Sequence, residues 1–262
     1  LYPAPCQKIA AIMLTYKLII EYDGTNYAGW QKQPNQISIQ SQLEDALFQV
    51  SQEPTTTIAS GRTDAGVHAF AQVISFRSSK TLSPREWTQA LNGVLPKDIC
   101  VHQTEQVSDS FHARHNAKYK TYEYRILNHR IRPVLERYRI WHIPKPLDLA
   151  SIKEAADTLK GQHNFSSFEG SPTDNTNPIC NIKNLKILDE LPIIRVTFTA
   201  DRFLKQMVRA MVGTLVEVGQ GKRSPSEIKK ILEARDRSAA GKTAPPHGLY
   251  LISVEYEKEG TI

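Results

Sequence analysis

Residues 203–218 (FLKQMVRAMVGTLVEV) constrain this chain more than any other stretch. Their apolar side chains cover nearly the whole circumference of a helix. Such a helix belongs inside a core or inside a bilayer. A bilayer span needs roughly 18 or more apolar residues, and no apolar run here reaches that. A protein core remains. A chain of 262 residues, 40% apolar and 23% charged, is large enough to build one, as one large domain or two small ones. The same helix carries Arg209. A buried guanidinium without a partner is very costly, so the fold must bring a carboxylate to it. The plainer reading is a side chain that snorkels to the surface, or a purely structural ion pair.

Elsewhere the apolar period switches between two and 3.6 residues. Residues 17–22 read as a strand ending in the turn Asp23-Gly24. Ile39, Leu43, Ala46, Leu47 and Val50 mark a helix, with Ser41 and Glu44 as an expected capping box. Residues 55–60 and 69–76 read as strands, the second with Phe70, Ile74 and Phe76 on one face. Ser83-Pro84-Arg85-Glu86 starts a helix with the stripe Trp87, Ala90, Leu91 and Val94. Residues 99–103 form another strand. The order is β-α-β-β-α-β.

Beyond residue 107 that order recurs loosely. A strand over 121–127 precedes a helix capped by Asp148, with Ile152, Ala155, Ala156 and Leu159 inward and Gly161 at its end. The polar stretch 162–181 reads as a long loop, a feature that is often functional. Strands over 185–188 and 193–199 lead into the apolar helix. Ser224-Pro225-Ser226-Glu227 begins a last helix by the same capping device, and 249–256 closes as a strand. The pattern predicts an α+β fold. Two split β-α-β (ferredoxin-like) halves, 13–107 and 108–262, join into one mixed, largely antiparallel sheet with helices packed on it. Residue 1 is Leu and the first Met is Met13, so residues 1–12 read as an extension. No targeting signal is legible, which makes cytoplasm the expected location. Cys6, Cys100 and Cys180 are odd in number and far apart, which excludes a disulfide framework and fits a reducing compartment.

The net charge of +6 is concentrated in 111–139. That segment holds Arg114, Lys118, Lys120, Arg125, Arg130, Arg132, Arg137 and Arg139 against Glu123 and Glu136, with Tyr119, Tyr122, Tyr124 and Tyr138 interleaved. Cations neutralise phosphates and aromatic faces stack bases, so the segment is a candidate nucleic-acid surface; the bland alternative is a solvated charged face. Tyr122 and Tyr124 share a strand face and are either core or a platform for a nucleobase.

The sharpest local segment is SGRTDAGVHAF, residues 60–70. It joins two strands, and Gly61 and Gly66 allow positive φ and close approach of another molecule. Asp64 therefore sits on a tight loop, either as a scaffolded functional carboxylate or as a turn aspartate bonding its own backbone. It is a candidate partner for Arg209. An ionised, partly desolvated carboxylate is a usable nucleophile. His68, His112, His115, His142 and His163 have no metal-ligand spacing with the cysteines, and no Walker, dinucleotide or G-x-S-x-G motif is present.

The blocks YDGTNYAGWQKQP, SGRTDAGVHAFAQV, KTYEYRILN, FLKQMVRAMVG and GLYLISVEY, in that order over about residues 14–256, resemble the tRNA pseudouridine synthase A family. The resemblance implies the pseudouridine synthase fold and isomerisation of uridine to pseudouridine in the anticodon stem-loop of tRNA, at positions 38, 39 and 40. It implies Asp64 as the catalytic aspartate, Arg209 as its basic partner and Tyr122 as the residue stacking on the target base. Arg62 matches an arginine that contacts RNA and helps hold the displaced nucleotide. Leu249 and Leu251 fall in the apolar block lining the pocket. Within the basic segment, Lys120, Arg114 and Lys118 are the candidate RNA contacts. The resemblance further implies a homodimer with the tRNA spanning both subunits, and no metal or organic cofactor. Two positions depart from the family pattern: Asn164 stands where an Asp is common, and Cys180 where a basic residue is expected. A non-catalytic tRNA-binding protein is the alternative, and a carboxylate hydrolase of another glycosidic bond the third reading.

Overall fold

The computed structural model describes residues 12–173 and 176–257. The expected extension 1–12 lies almost wholly outside the described residues. The first part of the chain forms β1 (Leu14–Tyr22), α1 (Ile39–Ser51), β2 (Ile58–Ala59), β3 (His68–Ser78), α2 (Pro84–Val94) and β4 (Ile99–Val107). Then come β5 (Ala117–Asn128), β6 (Trp141–Ile143), α3 (Leu149–Asp157), β7 (Gly161–Asn164), β8 (Ile179–Glu190) and β9 (Ile193–Ala200). The chain continues through α4 (Met207–Gly219), α5 (Glu227–Ala234) and β10 (Leu249–Tyr256).

All described strands belong to one sheet in the order β4-β1-β3-β10-β5-β9-β8-β7, with β2 on β3 and β6 on β5. β10–β3 and β5–β6 are parallel and the other pairings antiparallel. The fold is thus α+β with helices on a mixed, largely antiparallel sheet, as the alternating periods predict. The last strand lies between β3 and β5 and joins the two parts. It can do so because Leu249, Tyr250 and Leu251 are buried on both of its faces. One sheet face is lined by Tyr16, Leu18, Ile20, Tyr122, Tyr124, Val196 and Phe198, which share a continuous core with the helices. No helix among the described residues is long and apolar enough to cross a membrane.

Several local expectations change. The capping box of α1 is Ser38 with Ser41, not Ser41 with Glu44. Glu44 instead accepts hydrogen bonds from the backbone N–H and hydroxyl of Thr57. That bond takes the Thr57 amide out of the ladder, and of the expected strand 55–60 only Ile58–Ala59 forms a strand, with the Ser60 amide still donating to the Val73 carbonyl at 2.8 Å. Phe70 does not share a face with Ile74 and Phe76. Ile20 pairs with Gln72 while Tyr22 pairs with Ala69, so β3 carries one extra residue and the bulge turns Phe70 to the opposite face. The stretch 162–181 is not all loop, since it contains β7 and the start of β8. Gly161, at φ 92°, opens β7, and α3 has already ended at Asp157. α4 begins only at Met207, because Gln206 takes a left-handed φ of 57°. At α5 half the capping device forms: Glu227 accepts from the Ser224 amide, while the Ser224 hydroxyl pairs with Ser226.

Candidate active site

Five strands contribute one row of side chains beneath the loop at 60–67. Tyr22 pairs with Ala69, Ala69 with Leu251, Leu251 with Tyr122, and Tyr122 with Phe198. Leu251 is the leucine opposite Tyr122, and Leu249 is opposite Tyr124. Both leucines are buried.

The loop is fixed from below and from the side. Gln72, fully buried, accepts from the Ser60 hydroxyl at 2.7 Å and donates to the Gly61 carbonyl at 2.8 Å. Tyr22 and Thr63 share a hydrogen bond of 2.8 Å, and burial pushes the Tyr22 phenol up to about 12. The Val67 amide donates to the Asp64 carbonyl, closing the turn, with Gly66 at φ 76°. From the side, the Trp30 amide donates to the Thr63 carbonyl at 3.0 Å.

Gly29 lies at φ 94°, and a Cβ there would sit 2.6 Å from the Thr63 carbonyl oxygen. The segment 23–30 therefore acts as a buttress that only glycine lets approach so closely. Sequence reasoning treated Asp23-Gly24 as a simple turn and missed this role; a second glycine, Gly29, five residues after Gly24, was the legible signal. Gly29→Ala should cost about 2–4 kcal/mol, from left-handed strain plus overpacking. Gly93→Ala in α2, where nothing lies within 4 Å, should instead stabilise by up to about 1 kcal/mol. Urea unfolding of both variants checks the contrast.

Arg209 and Asp64, 145 residues apart in sequence, meet on this loop. Arg209 Nη1 donates to Asp64 Oδ2 at 2.7 Å, and Nε donates to the Ala244 carbonyl at 2.8 Å. Within α4 only Arg209 and Glu217 escape full burial. The side chains are 13% exposed for Arg209 and 29% for Asp64, so solvent reaches the carboxylate more than the guanidinium. The clefts of about 540 and 500 Å³ near Asp98 and near Tyr256 include neither group.

Tyr122 lies beside the pair. Its hydroxyl is 3.9 Å from where a Gly61 Cβ would be, and its ring meets Phe203 edge-on with centroids 5.0 Å apart. Burial raises its phenol well above the ordinary tyrosine value, with Tyr22 and Asp64 adding to the rise. Tyr124, by contrast, is wholly buried and donates to the Pro245 carbonyl at 2.7 Å, which makes it a core residue.

The basic segment does not form one surface. Lys120 shares the face of Tyr122 and runs its stem along Gly61. Arg114 and Arg62 are exposed, and Lys118 pairs with Glu257 at 2.6 Å. On the other face Arg125 lies 4.2 Å over the Tyr250 ring and pairs with Glu123, and Arg139 pairs with Asp23 at 2.8 Å. His68 stacks on Tyr250 on that same side, accepts from the Gly24 amide through Nδ1, and faces the Tyr138 and His247 carbonyls through Nε2. Burial lowers its pKa, consistent with a neutral structural histidine. Asn164 accepts from the amide and hydroxyl of Ser166 and so shapes the turn that follows. Cys180 is 1% exposed, and burial pushes its thiol up to about 12.

A joined mixed sheet, one carboxylate held against one guanidinium, and cations along the adjoining strand define a class: an α+β protein with a single-carboxylate site beside a basic face. The chain belongs to the tRNA pseudouridine synthase family, whose model matches residues 18–116 and 155–257. It is 42% identical over 239 residues to tRNA pseudouridine synthase A of Caldicellulosiruptor saccharolyticus, covering 91% of this chain and 98% of that one. It is 43% identical over 244 residues to the protein of that name from Thermoanaerobacter sp. strain X514, covering 93% and 100%. With the one from Ehrlichia chaffeensis it shares 42% over 245 residues, covering 93% and 100%.

Proposed function

We propose that this protein isomerises uridine to pseudouridine in the anticodon arm of tRNA, at positions 38, 39 and 40. The observation that carries the reading is the Asp64–Arg209 pair at 2.7 Å, beside Tyr122 on a glycine-lined loop. The reaction breaks the bond from C1′ of the ribose to N1 of uracil and forms one from C1′ to C5. C5 gives up its proton and N1 takes one, so composition and oxidation state are unchanged. The detached base must stay caged, which a water-poor site favours.

Asp64 serves as the attacking carboxylate, whether it meets the sugar, the base or a sugar proton. Arg209 orients it by a charge-assisted hydrogen bond. Tyr122 supports the base by stacking, above Leu251. A uridine in a stem must leave its stack, at a cost of roughly a few kcal/mol. Arg62, Arg114, Lys118 and Lys120 offset that through phosphate contacts, which position RNA without reading its sequence. We further propose a cytoplasmic homodimer with tRNA spanning both subunits, and a working division of the chain near residue 107.

Purified protein with an unmodified tRNA transcript and no added metal should form pseudouridine in the anticodon arm. Bound tRNA without product would favour the non-catalytic reading, and release of free base or sugar would favour a hydrolase.

A further inference from the structure

Lys120 is a cation with no direct partner: among the described residues its ammonium has neither a hydrogen-bond partner nor an ion pair. Its stem lies against the loop, with Cε 3.6 Å from where a Gly61 Cβ would lie. Arg114 and Arg202 bring two further positive charges into range, and burial together with these charges lowers the Lys120 pKa. Among the described residues the acid in electrostatic range is Asp201, which favours the charged lysine but makes no hydrogen bond or ion pair with it; its Oδ1 accepts from the amides of Asn181 and Arg202. A desolvated ammonium among like charges is costly unless an anion arrives. Its place on the strand says which anion. Lys120 and Tyr122 share a face of β5 two residues apart, about 7 Å along the strand, which is within the span from a nucleobase to its own backbone phosphate.

We propose that Lys120 forms a subsite for one backbone phosphate of the RNA next to the nucleotide held at Tyr122. The inference rests on the tRNA reading above and deepens it. The subsite is partly built before RNA arrives: the lysine stem is packed, so little side-chain freedom is lost on binding. The bound phosphate supplies the direct partner and pins the strand next to the displaced base.

The test uses the full chain and anticodon stem-loop RNAs, each carrying one neutral methylphosphonate among the phosphates flanking the target uridine. One position should weaken wild-type binding about tenfold. Lys120→Met should weaken binding of the unmodified RNA by a similar factor and lose almost nothing more at that position. Its salt slope, log affinity against log salt, should fall by about 0.7–0.9. Removing an unpaired cation should leave the melting temperature level or higher. If the losses from the variant and from every methylphosphonate simply multiply, or if Lys120→Met binds as wild type does, the subsite is refuted. Should Lys120→Met not fold, the wild-type scan still decides, because equal affinity at every position overturns the proposal. Pseudouridine formed by wild type on the unmodified RNA is scored in parallel, so a failure of the subsite is told apart from a failure of the enzymatic reading.

Discussion

Asp64→Asn should abolish pseudouridine formation, by at least about 10⁴-fold in rate, while tRNA affinity stays within about threefold of wild type. The substitution changes one atom of the carboxylate. An asparagine oxygen can still accept from Arg209 Nη1, now 2.7 Å from Asp64 Oδ2, so the loop keeps its anchor. Stability should fall by only about 1 kcal/mol, the difference between a charged and a neutral hydrogen bond at a partly open site. The amide is no nucleophile and no base, so every route that needs the carboxylate closes together. Isomerisation releases the proton of C5, and tRNA tritiated at uridine C5 therefore reports turnover directly. Tritium release by Asp64→Asn at even a tenth of the wild-type rate would remove Asp64 from the chemistry.

Arg209→Met should cost about 10²–10³ in kcat, with a moderate loss of stability. Methionine suits the apolar setting of α4, but it leaves the Asp64 carboxylate and the Ala244 carbonyl without their donor, so stability should fall by about 1–3 kcal/mol, less than for a fully buried pair because solvent reaches Asp64. What disappears is the orientation of Asp64. The guanidinium reaches two acceptors at once, the carboxylate through Nη1 and the Ala244 carbonyl through Nε. An ammonium cannot reproduce that fork, so Arg209→Lys should recover only part of the loss. Single-turnover rates beside thermal melts separate the two effects. A full rate for Arg209→Met would leave the pair as structure alone.

The loop at 60–67 shows how far local reasoning reaches. Two glycines around Asp64 mark a tight exposed turn, and its position between strands is legible because turn chemistry is local. The row beneath it, Tyr22–Ala69–Leu251–Tyr122–Phe198, is not legible. It depends on the final strand inserting between β3 and β5, and on bulges that shift register by one residue. The same bulge in β3 sends Phe70 to the Tyr250 side, against the simple alternation. The clustered positive charge of 111–139 is similarly dispersed, because neighbouring strand residues point to opposite faces.

From the letters alone come the order of the main helices and strands, though not β6 or β7, the buried helix and the demand for an acid opposite Arg209. These rest on amphipathic periods and on the cost of burying charge, which do not depend on distant partners. The tertiary structure decides between the readings left open: it brings Asp64, a candidate only, to 2.7 Å from Arg209, sets Leu251 and not Leu249 opposite Tyr122, and lays Lys120 against Gly61. Those are meetings of segments far apart in the chain, set by strand register and packing, and short-range sequence carries no record of them.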